Sequence, residues 1–177
     1  MQPVTVVLSG GRVVVPAQSD ADSLMNDGYG SREGGLYMLE PVEALFNVER
    51  GRVEVIDEED NKHLGLKELL PLFQERDGKV WTRYLVYRDL RTRGFTARRD
   101  PEGPADLVVY ERGMFKQGPP TIRIAIISEG LPESLKGLLG MARGYEELGL
   151  QLKLAVVDRR GDMVYYSLSE RSFVEEA

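Results

Sequence analysis

The order of strand and helix patterns in the second half of the chain constrains the fold more than any other feature. Alternating apolar runs, typical of strands, occur in five segments, "FTAR", "DLVVY", "TIRIAII", "LKLAVV" and "MVYYSL". One helical pattern, "PESLKGLLGMARGYEEL", lies between the third and fourth of them. Strands in this order, with a long helix between two of them, predict a mixed sheet with helices packed against it.

The first half of the chain predicts a smaller domain that also mixes strands and helices. It opens with a hairpin pattern, and residues 16–34 are polar and irregular, so we expect a loop there. Pro41 suits the first position of the helix that follows. Pro71 is expected to interrupt or kink a later helix.

The segment "DGK", residues 77–79, predicts a boundary between two domains, 1–78 and 79–177. The predicted fold class is therefore α/β (α+β). A small amino-terminal mixed α/β domain precedes a carboxy-terminal domain in which helices flank a mixed sheet.

Composition excludes several kinds of functional site. The 177 residues include no cysteine, so disulfides, zinc thiolate sites and cysteine nucleophiles are excluded. The single histidine, His63, makes a multi-histidine metal site impossible, and its place beside a helix start is typical of a cap or surface residue. No segment approaches the ~20 apolar residues that cross a bilayer. We expect no metal, no membrane partner and a cytoplasmic location.

The charge balance argues weakly against nucleic-acid binding by this chain alone. The net charge is −6, whereas proteins that bind nucleic acid alone usually carry a basic excess. The arginines are nevertheless concentrated in "YRDLRTRGFTARR", residues 87–99. This local patch keeps a polyanion among the possible partners.

Tyr110 is the first candidate for chemistry, because it stands where a strand meets a loop rich in glycine and proline. The loop offers only Arg112, Lys116 and Gln117 as possible second groups. A metal-dependent nuclease site of the restriction-enzyme type is disfavoured. Asp106 could supply its first acid, but "TIRIAII" contains no carboxylate or lysine.

Four segments, in this order, resemble the archaeal tRNA-splicing endonucleases: "GLYMLEPVEALFNVERGRVEV", "YLVYRDLRTRGF", "DLVVYERG" and "LKLAVVDRRGDMVYYSL". The resemblance covers roughly residues 35–168. It implies an amino-terminal α/β domain, a carboxy-terminal nuclease-type domain and an oligomeric enzyme. Such an enzyme cuts precursor tRNA at a bulge-helix-bulge element, leaving a 2′,3′-cyclic phosphate and a 5′-hydroxyl. It uses no metal and no cofactor.

The resemblance also implies which residues would carry the chemistry. In catalytic members a tyrosine, a histidine and a lysine serve as the base, the acid and the cation that this reaction needs. Tyr110 matches the tyrosine. The other two positions hold Gly118, Pro119 and Pro120 for the histidine, and Leu150 and Gln151 for the lysine. We therefore predict no catalytic residue, with Tyr110 as a remnant of the triad.

Two nearby lysines do not restore the missing groups. Lys153 lies further along the strand than the expected lysine, and Lys116, charged at neutral pH, would be a poor general acid. The resemblance then implies a non-catalytic structural subunit that forms a heterotetramer with a catalytic paralogous subunit and binds precursor tRNA within it. Two alternatives stay open: a nuclease active alone with relocated groups, and an adaptor that keeps the fold for other protein contacts.

The resemblance places two contact surfaces on the chain. Arg143 matches an arginine that grips a bulge nucleotide, although an exposed arginine on a helix is often only solvated. The turn "DRRGD" matches an acidic turn that enters a basic pocket of the opposing subunit, although here Arg159 and Arg160 replace acidic residues. The predicted interface residues are Asp158, Asp162, Met163, Val164, Tyr165 and Tyr166.

Overall fold

The computed structural model describes residues 2–100, 103–130 and 132–169. Residue contacts divide the chain into two compact units, Met1–Tyr84 and Leu85–Ala177. The division falls inside the helix α4, Val80–Thr92. The domain limits of 1–78 and 79–177 stay a prediction.

The first unit is built on a six-stranded mixed sheet with the order β3-β4-β2-β1-β5-β6. Its strands are β1 Val4–Ser9, β2 Arg12–Val15, β3 Ser31–Glu33, β4 Leu36–Leu39, β5 Val53–Asp57 and β6 His63–Leu64. Its helices are α1 Gln18–Asn26, α2 Pro41–Glu49 and α3 Leu66–Gln74, and α4 begins at its end. The predicted hairpin is confirmed, since β1 pairs antiparallel with β2. A parallel pairing of β1 with β5 makes the sheet mixed.

Helix α2 begins at Pro41 as predicted, and the carboxylate of Glu43 stabilises its first turn. Glu43 is almost fully buried. Its Oε2 accepts hydrogen bonds from the backbone N–H of Glu40 at 3.0 Å and of Gly30 at 2.9 Å. Backbone N–H donors therefore replace the water that a buried carboxylate loses, and they tie the helix start to the preceding loop.

One prediction for this unit is wrong, and one of the two alternatives for Pro71, an interrupted helix, is excluded. Residues 16–34 are not one loop, because they contain α1 and the short strand β3. Only Ala21 and Leu24 of α1 are buried, so its polar sequence conceals the helical period. Pro71 does not interrupt α3. Leu69 and Phe73, which are buried on either side of it, stabilise the helix enough to accept one missing backbone hydrogen bond.

The second unit contains the mixed sheet predicted for the second half of the chain. Its strand order is β11-β10-β9-β8-β7, with β9 and β10 parallel. The strands are β7 Thr96–Arg99, β8 Leu107–Tyr110, β9 Ile122–Ser128, β10 Gln151–Val157 and β11 Met163–Leu168. Helix α5, Leu135–Glu147, connects the parallel pair. All five strand predictions and the helix prediction are confirmed.

Helix α5 covers one face of this sheet. Its buried residues Ala142 and Tyr145 pack with Ala125 of β9 and Leu152 of β10. The side chains that alternate with these two on β9 and β10, such as Ile124 and Ala155, are buried on the opposite face. Burial on both faces holds the strands in a definite register, which positions the residues at the ends of the strands.

Candidate functional site

Three adjacent strands bring the predicted catalytic positions to one end of the sheet in the second unit. Val109 of β8 and Gln151 of β10 both pair with Ile122 of β9. The N–H of Gln151 also donates to the carbonyl of Thr121 at 2.9 Å. Because neighbouring strands lie about 4.8 Å apart, the end of β8, the start of β9 and the start of β10 form one row about 10 Å long.

The tyrosine position in this row is occupied by a side chain that packs inside the loop. Tyr110 is half-buried and meets the ring of Phe115 edge-to-face, with a centroid distance of 5.2 Å. The ammonium of Lys116 lies 6.0 Å from the centroid of Phe115. The backbone of Lys116 has a φ of 72°, a conformation that residues other than glycine seldom adopt. The aromatic contact and this backbone bend fold the loop back over the strand end.

The histidine position offers no group that can donate a proton to a leaving oxygen. Pro119 is exposed, Gly118 and Pro120 are half-buried, and none of the three has an ionisable side chain. The carbonyl of Pro120 accepts a hydrogen bond from Nη1 of Arg123 at 2.9 Å. The loop end is thus held in place by an arginine on the following strand.

The lysine position holds an uncharged side chain. Gln151 is exposed, and Leu150 packs with the apolar cluster under α5. Lys153 lies two residues further along β10, which displaces it by about 7 Å on the same face. It is half-buried. The row of strand ends therefore contains a tyrosine, a proline and a glutamine where the resemblance implies a tyrosine, a histidine and a lysine.

A buried polar network connects the histidine position with α5. The hydroxyl of Tyr145 donates to Oδ2 of Asp100 at 3.0 Å and accepts from the N–H of Ala105 at 3.1 Å. Nε of Arg123 lies 3.7 Å from the same carboxylate, whose side chain is 5% exposed. Burial raises the pKa of the Tyr145 hydroxyl, and its hydrogen bond to Asp100 adds to that effect. These partners hold the network in a structural arrangement and leave Tyr145 protonated at neutral pH.

Asp106, the acid that a metal-dependent nuclease would need, serves the backbone. Its Oδ2 accepts a hydrogen bond from the N–H of Ile126 at 2.9 Å. Among the described residues, no group of three or more His, Cys, Asp or Glu side chains is arranged to hold a metal ion. His63 lies in β6 of the first unit, far in sequence from Asp106. Nδ1 of its exposed ring is 3.6 Å from Oε2 of Glu54.

A group of arginines on aromatic rings lies next to the row, and sequence reasoning missed it. The guanidinium of Arg112 is 5.0 Å from the ring centroid of Phe95, and that of Arg93 is 5.8 Å from the same centroid. Phe95 directly precedes β7, whose first residue pairs with Tyr110. The arginine-rich segment indicated Arg93, but no sequence signal connects Arg112 with Phe95, because only the pairing of β7 with β8 brings them together.

Arg143 lies on the exposed side of α5. Its neighbours Ala142 and Tyr145 face the sheet, so its guanidinium is presented away from the core. Such a position allows contact with a large ligand, and the side chain takes part in at least one interaction within the chain.

The turn between β10 and β11 is closed by one of the two predicted carboxylates. Oδ1 of Asp158 accepts hydrogen bonds from the N–H of Arg160 at 2.8 Å and of Asp162 at 2.9 Å. Gly161 has a φ of 90°, which a residue with a Cβ would adopt only with strain. Asp162 is exposed. Asp158 therefore stabilises the turn itself, whereas Asp162 is presented at its surface.

The predicted interface strand β11 forms one edge of the sheet, and its side chains divide between two environments. Val164 and Tyr166 are 53% and 55% exposed. Met163 and Tyr165 are half-buried, and the hydroxyl of Tyr165 donates to Oδ2 of Asp89 in α4 at 2.7 Å. Burial, reinforced by Asp89, raises the pKa of Tyr165. Val164 and Tyr166 thus present an apolar surface on a strand that pairs on only one side within the described residues.

Comparison with known proteins assigns both units. The family described as "tRNA intron endonuclease, N-terminal domain" matches residues 4–70, and "tRNA intron endonuclease, catalytic C-terminal domain" matches residues 80–166. A tRNA-splicing endonuclease of Methanococcus vannielii is 32% identical over 91% of this chain and 90% of its own. One from Thermococcus kodakarensis is 32% identical over 91% of this chain and 94% of its own. The chain belongs to the tRNA intron endonuclease family.

Membership of the tRNA intron endonuclease family accounts for the two units and for the resemblance that the segments suggested. The resemblance is confirmed at the level of the family. Within the residues that the structure describes, no helix is both long enough and apolar enough to cross a membrane.

Proposed function

We propose that this chain is a non-catalytic structural subunit of a heteromeric tRNA-splicing endonuclease. It assembles with a catalytic paralogous subunit, as a heterotetramer in the cytoplasm, and helps to position precursor tRNA for intron removal. The observation that carries the proposal is the row of strand ends at Tyr110, Pro120 and Gln151. The resemblance implies a three-group site at these strand ends, and two of the three side chains present there cannot perform the reaction.

The chemistry explains why these two replacements matter. Attack of a ribose 2′-hydroxyl on the adjacent phosphate needs a base for the hydroxyl, an acid for the leaving oxygen and a cation for the charged transition state. Proline can supply neither a proton nor a charge, and glutamine supplies only a neutral amide. Loss of the acid alone lowers such rates by ~10²–10⁴, and loss of the cation lowers them further.

The contacts of Tyr110 support a structural role for the third side chain. Its ring packs on Phe115, which folds the loop over the strand end. A tyrosine that acts as the base also needs an acid on the opposite side of the phosphate, which donates a proton to the leaving oxygen. The row contains no such acid. We infer that Tyr110 is retained for this packing.

The turn and edge strand at residues 158–166 supply the proposed subunit interface. Asp162 is exposed on a turn that Asp158 holds closed, and Val164 and Tyr166 are exposed on the edge strand. An unpaired strand edge with apolar side chains is suited to pairing with another chain. The exposed position of Arg143 is compatible with a contact to RNA inside the complex.

The experiment that tests the proposal compares the purified chain, a catalytic paralogue and their mixture in cleavage of a precursor tRNA. We expect no cleavage by the chain alone and faster cleavage by the mixture than by the paralogue alone. Cleavage by the purified chain at a rate similar to that of the mixture would overturn the proposal. A mixture that gains no activity and forms no complex would also count against it.

One observation favours a second candidate, a nuclease with a relocated cation. The left-handed backbone of Lys116 places an ammonium beside Phe115 and close in sequence to Tyr110. If the chain cleaves alone, Lys116→Ala should abolish that cleavage while Lys153→Ala should not. Equal effects of the two substitutions would exclude Lys116 as the relocated group.

A further inference from the structure

Two arginines, Arg93 and Arg112, lie on one aromatic ring beside the row of strand ends. We propose that Arg112 and Arg93, supported by Phe95, bind phosphates of the precursor RNA next to the inert site. The inference rests on the proposed function for the identity of the RNA, but it concerns binding and not assembly. The surface formed by Arg93, Phe95 and Arg112 is called the arginine surface below.

The first argument is the position of the two guanidinium groups. They lie 5.0 Å and 5.8 Å from the centroid of one phenyl ring. Each guanidinium is attracted to the ring, but two like charges that share one ring repel each other. A nearby anion lowers this repulsion, so an anion is the ligand that the arrangement favours.

The second argument is preorganisation. An arginine that stacks on an aromatic ring has already lost part of its rotamer freedom, while its N–H groups stay directed away from the ring. Less conformational entropy is then lost when a phosphate binds. Arg93 is ordered further, since its Nη1 lies 3.2 Å from Oδ2 of Asp89. Because Arg93 is already paired with the Asp89 carboxylate, Arg112 is the stronger phosphate donor.

The third argument is location. Phe95 precedes the strand that pairs with Tyr110, and Arg112 follows Tyr110 by two residues. Lys116 lies in the same loop, with its ammonium over Phe115. Cations are therefore gathered beside the row of strand ends, in a chain whose net charge is −6. Local enrichment against the overall charge favours a polyanion with closely spaced phosphates.

The test measures binding of the full chain to a bulge-helix-bulge RNA by fluorescence anisotropy over a range of KCl concentrations. Arg112→Ala should weaken binding about 5- to 10-fold near 0.1 M salt and reduce the slope of log K against log salt by about 0.9, as expected for one lost phosphate contact. Arg112→Lys keeps the charge but cannot stack as a planar group, and should have an intermediate affinity. Phe95→Leu should weaken binding with both arginines still present.

The chain supplies a matched control in its first unit. Arg50 is exposed and stacks on Phe46 with a distance of 5.2 Å to the ring centroid. Arg50→Ala removes the same charge and the same kind of ring contact without touching the arginine surface, so it should leave affinity and salt slope near the wild-type values. Thermal unfolding of each variant checks that the fold is intact.

Several results would overturn the inference. Arg112→Ala and Arg50→Ala with equal affinities and equal salt slopes would show that the arginine surface does not bind RNA. Unchanged RNA binding together with weaker assembly with the catalytic subunit would assign the surface to a protein partner. The proposed function can fail separately, because a chain that binds RNA through Arg112 yet neither joins nor aids a catalytic paralogue would retain this surface and lose the subunit role.

Discussion

The two ends of the sheet in the second unit carry different kinds of side chains. At one end, the strand ends bring Tyr110, Pro120 and Gln151 into one row, where Tyr110 packs on Phe115 and the other two side chains are uncharged. At the other end, the turn closed by Asp158 leads into an edge strand with exposed apolar side chains. The row at the first end holds a tyrosine, a proline and a glutamine, while the other end exposes apolar side chains on an edge strand.

The difference follows from the demands of the two tasks. Catalysis needs particular atoms within hydrogen-bond reach of the reacting groups, so one replacement can remove ~10²–10⁴ of the rate. A contact surface needs shape and a suitable distribution of apolar and charged groups, and it tolerates most single replacements. A chain that acts through contacts can therefore lose its acid and its cation and keep the whole fold.

The largest effect on stability is expected from Arg123→Ala, at the end of the sheet that carries the row of strand ends. This side chain is 15% exposed, lies 3.7 Å from the buried carboxylate of Asp100 and holds the carbonyl of Pro120. Its removal leaves a buried charge with fewer partners, and we expect the free energy of unfolding to fall by about 3 kcal/mol. Denaturant unfolding measures this, with the exposed Lys62→Ala as the control. If both variants unfold at the same denaturant concentration, the network does not anchor this end.

A smaller loss is expected at the opposite end, from Asp158→Ala. The substitution removes two hydrogen bonds from the turn, to the N–H groups of Arg160 and Asp162, and should lower the free energy of unfolding by about 1–2 kcal/mol. Asp162→Ala removes an exposed carboxylate and should leave unfolding unchanged. Sedimentation of the reconstituted complex at raised salt should nevertheless show weaker assembly with Asp162→Ala. Wild-type assembly of that variant would mean that the turn serves only the fold.

The raised pKa of Tyr165, which follows from burial and from its hydrogen bond to Asp89, should affect the free energy of unfolding at alkaline pH. The pKa of Tyr165 in the folded chain is raised above the ordinary value of 10.0. The stability that its protonated hydroxyl contributes to the fold is therefore fully present below that pH. It is lost as the pH rises towards the folded pKa, because the unfolded chain releases the proton first. Tyr165→Phe should make the decline in unfolding free energy above pH 10.0 shallower, by up to about 1.4 kcal/mol per pH unit. Parallel curves for the two proteins would show that the folded pKa of Tyr165 is not raised by burial and by Asp89.

The smallest effect is expected from Tyr110→Phe, which removes only a hydroxyl. The ring contact with Phe115 is preserved, and the row of strand ends contains no acid for the tyrosine to work with. Cleavage of precursor tRNA by the reconstituted complex should change by less than about twofold, within the usual scatter of a surface substitution. A large loss of rate would show that the Tyr110 hydroxyl takes part in the cleavage reaction, which contradicts a purely structural role.

Much of the fold could be predicted because the relevant signals are local. The five strands of the second sheet alternate clearly, and Pro41 marks the start of a capped helix. The missed helix α1 has only Ala21 and Leu24 buried, so too little apolar sequence shows its period. Pro71 does not interrupt α3, because the burial of Leu69 and Phe73 in the packed unit offsets the local cost of its missing hydrogen bond.

The sequence by itself determined which groups are present: a tyrosine at position 110, no histidine in residues 118–120 and no lysine at 150 or 151. Only the tertiary structure decided which of these positions are neighbours, that Asp158 holds its own turn, and that Arg112 meets Phe95. The physical reason is that strand register depends on the packing of both sheet faces by residues distant in the chain. Local propensity sets the strands, but it does not set the register that brings their ends together.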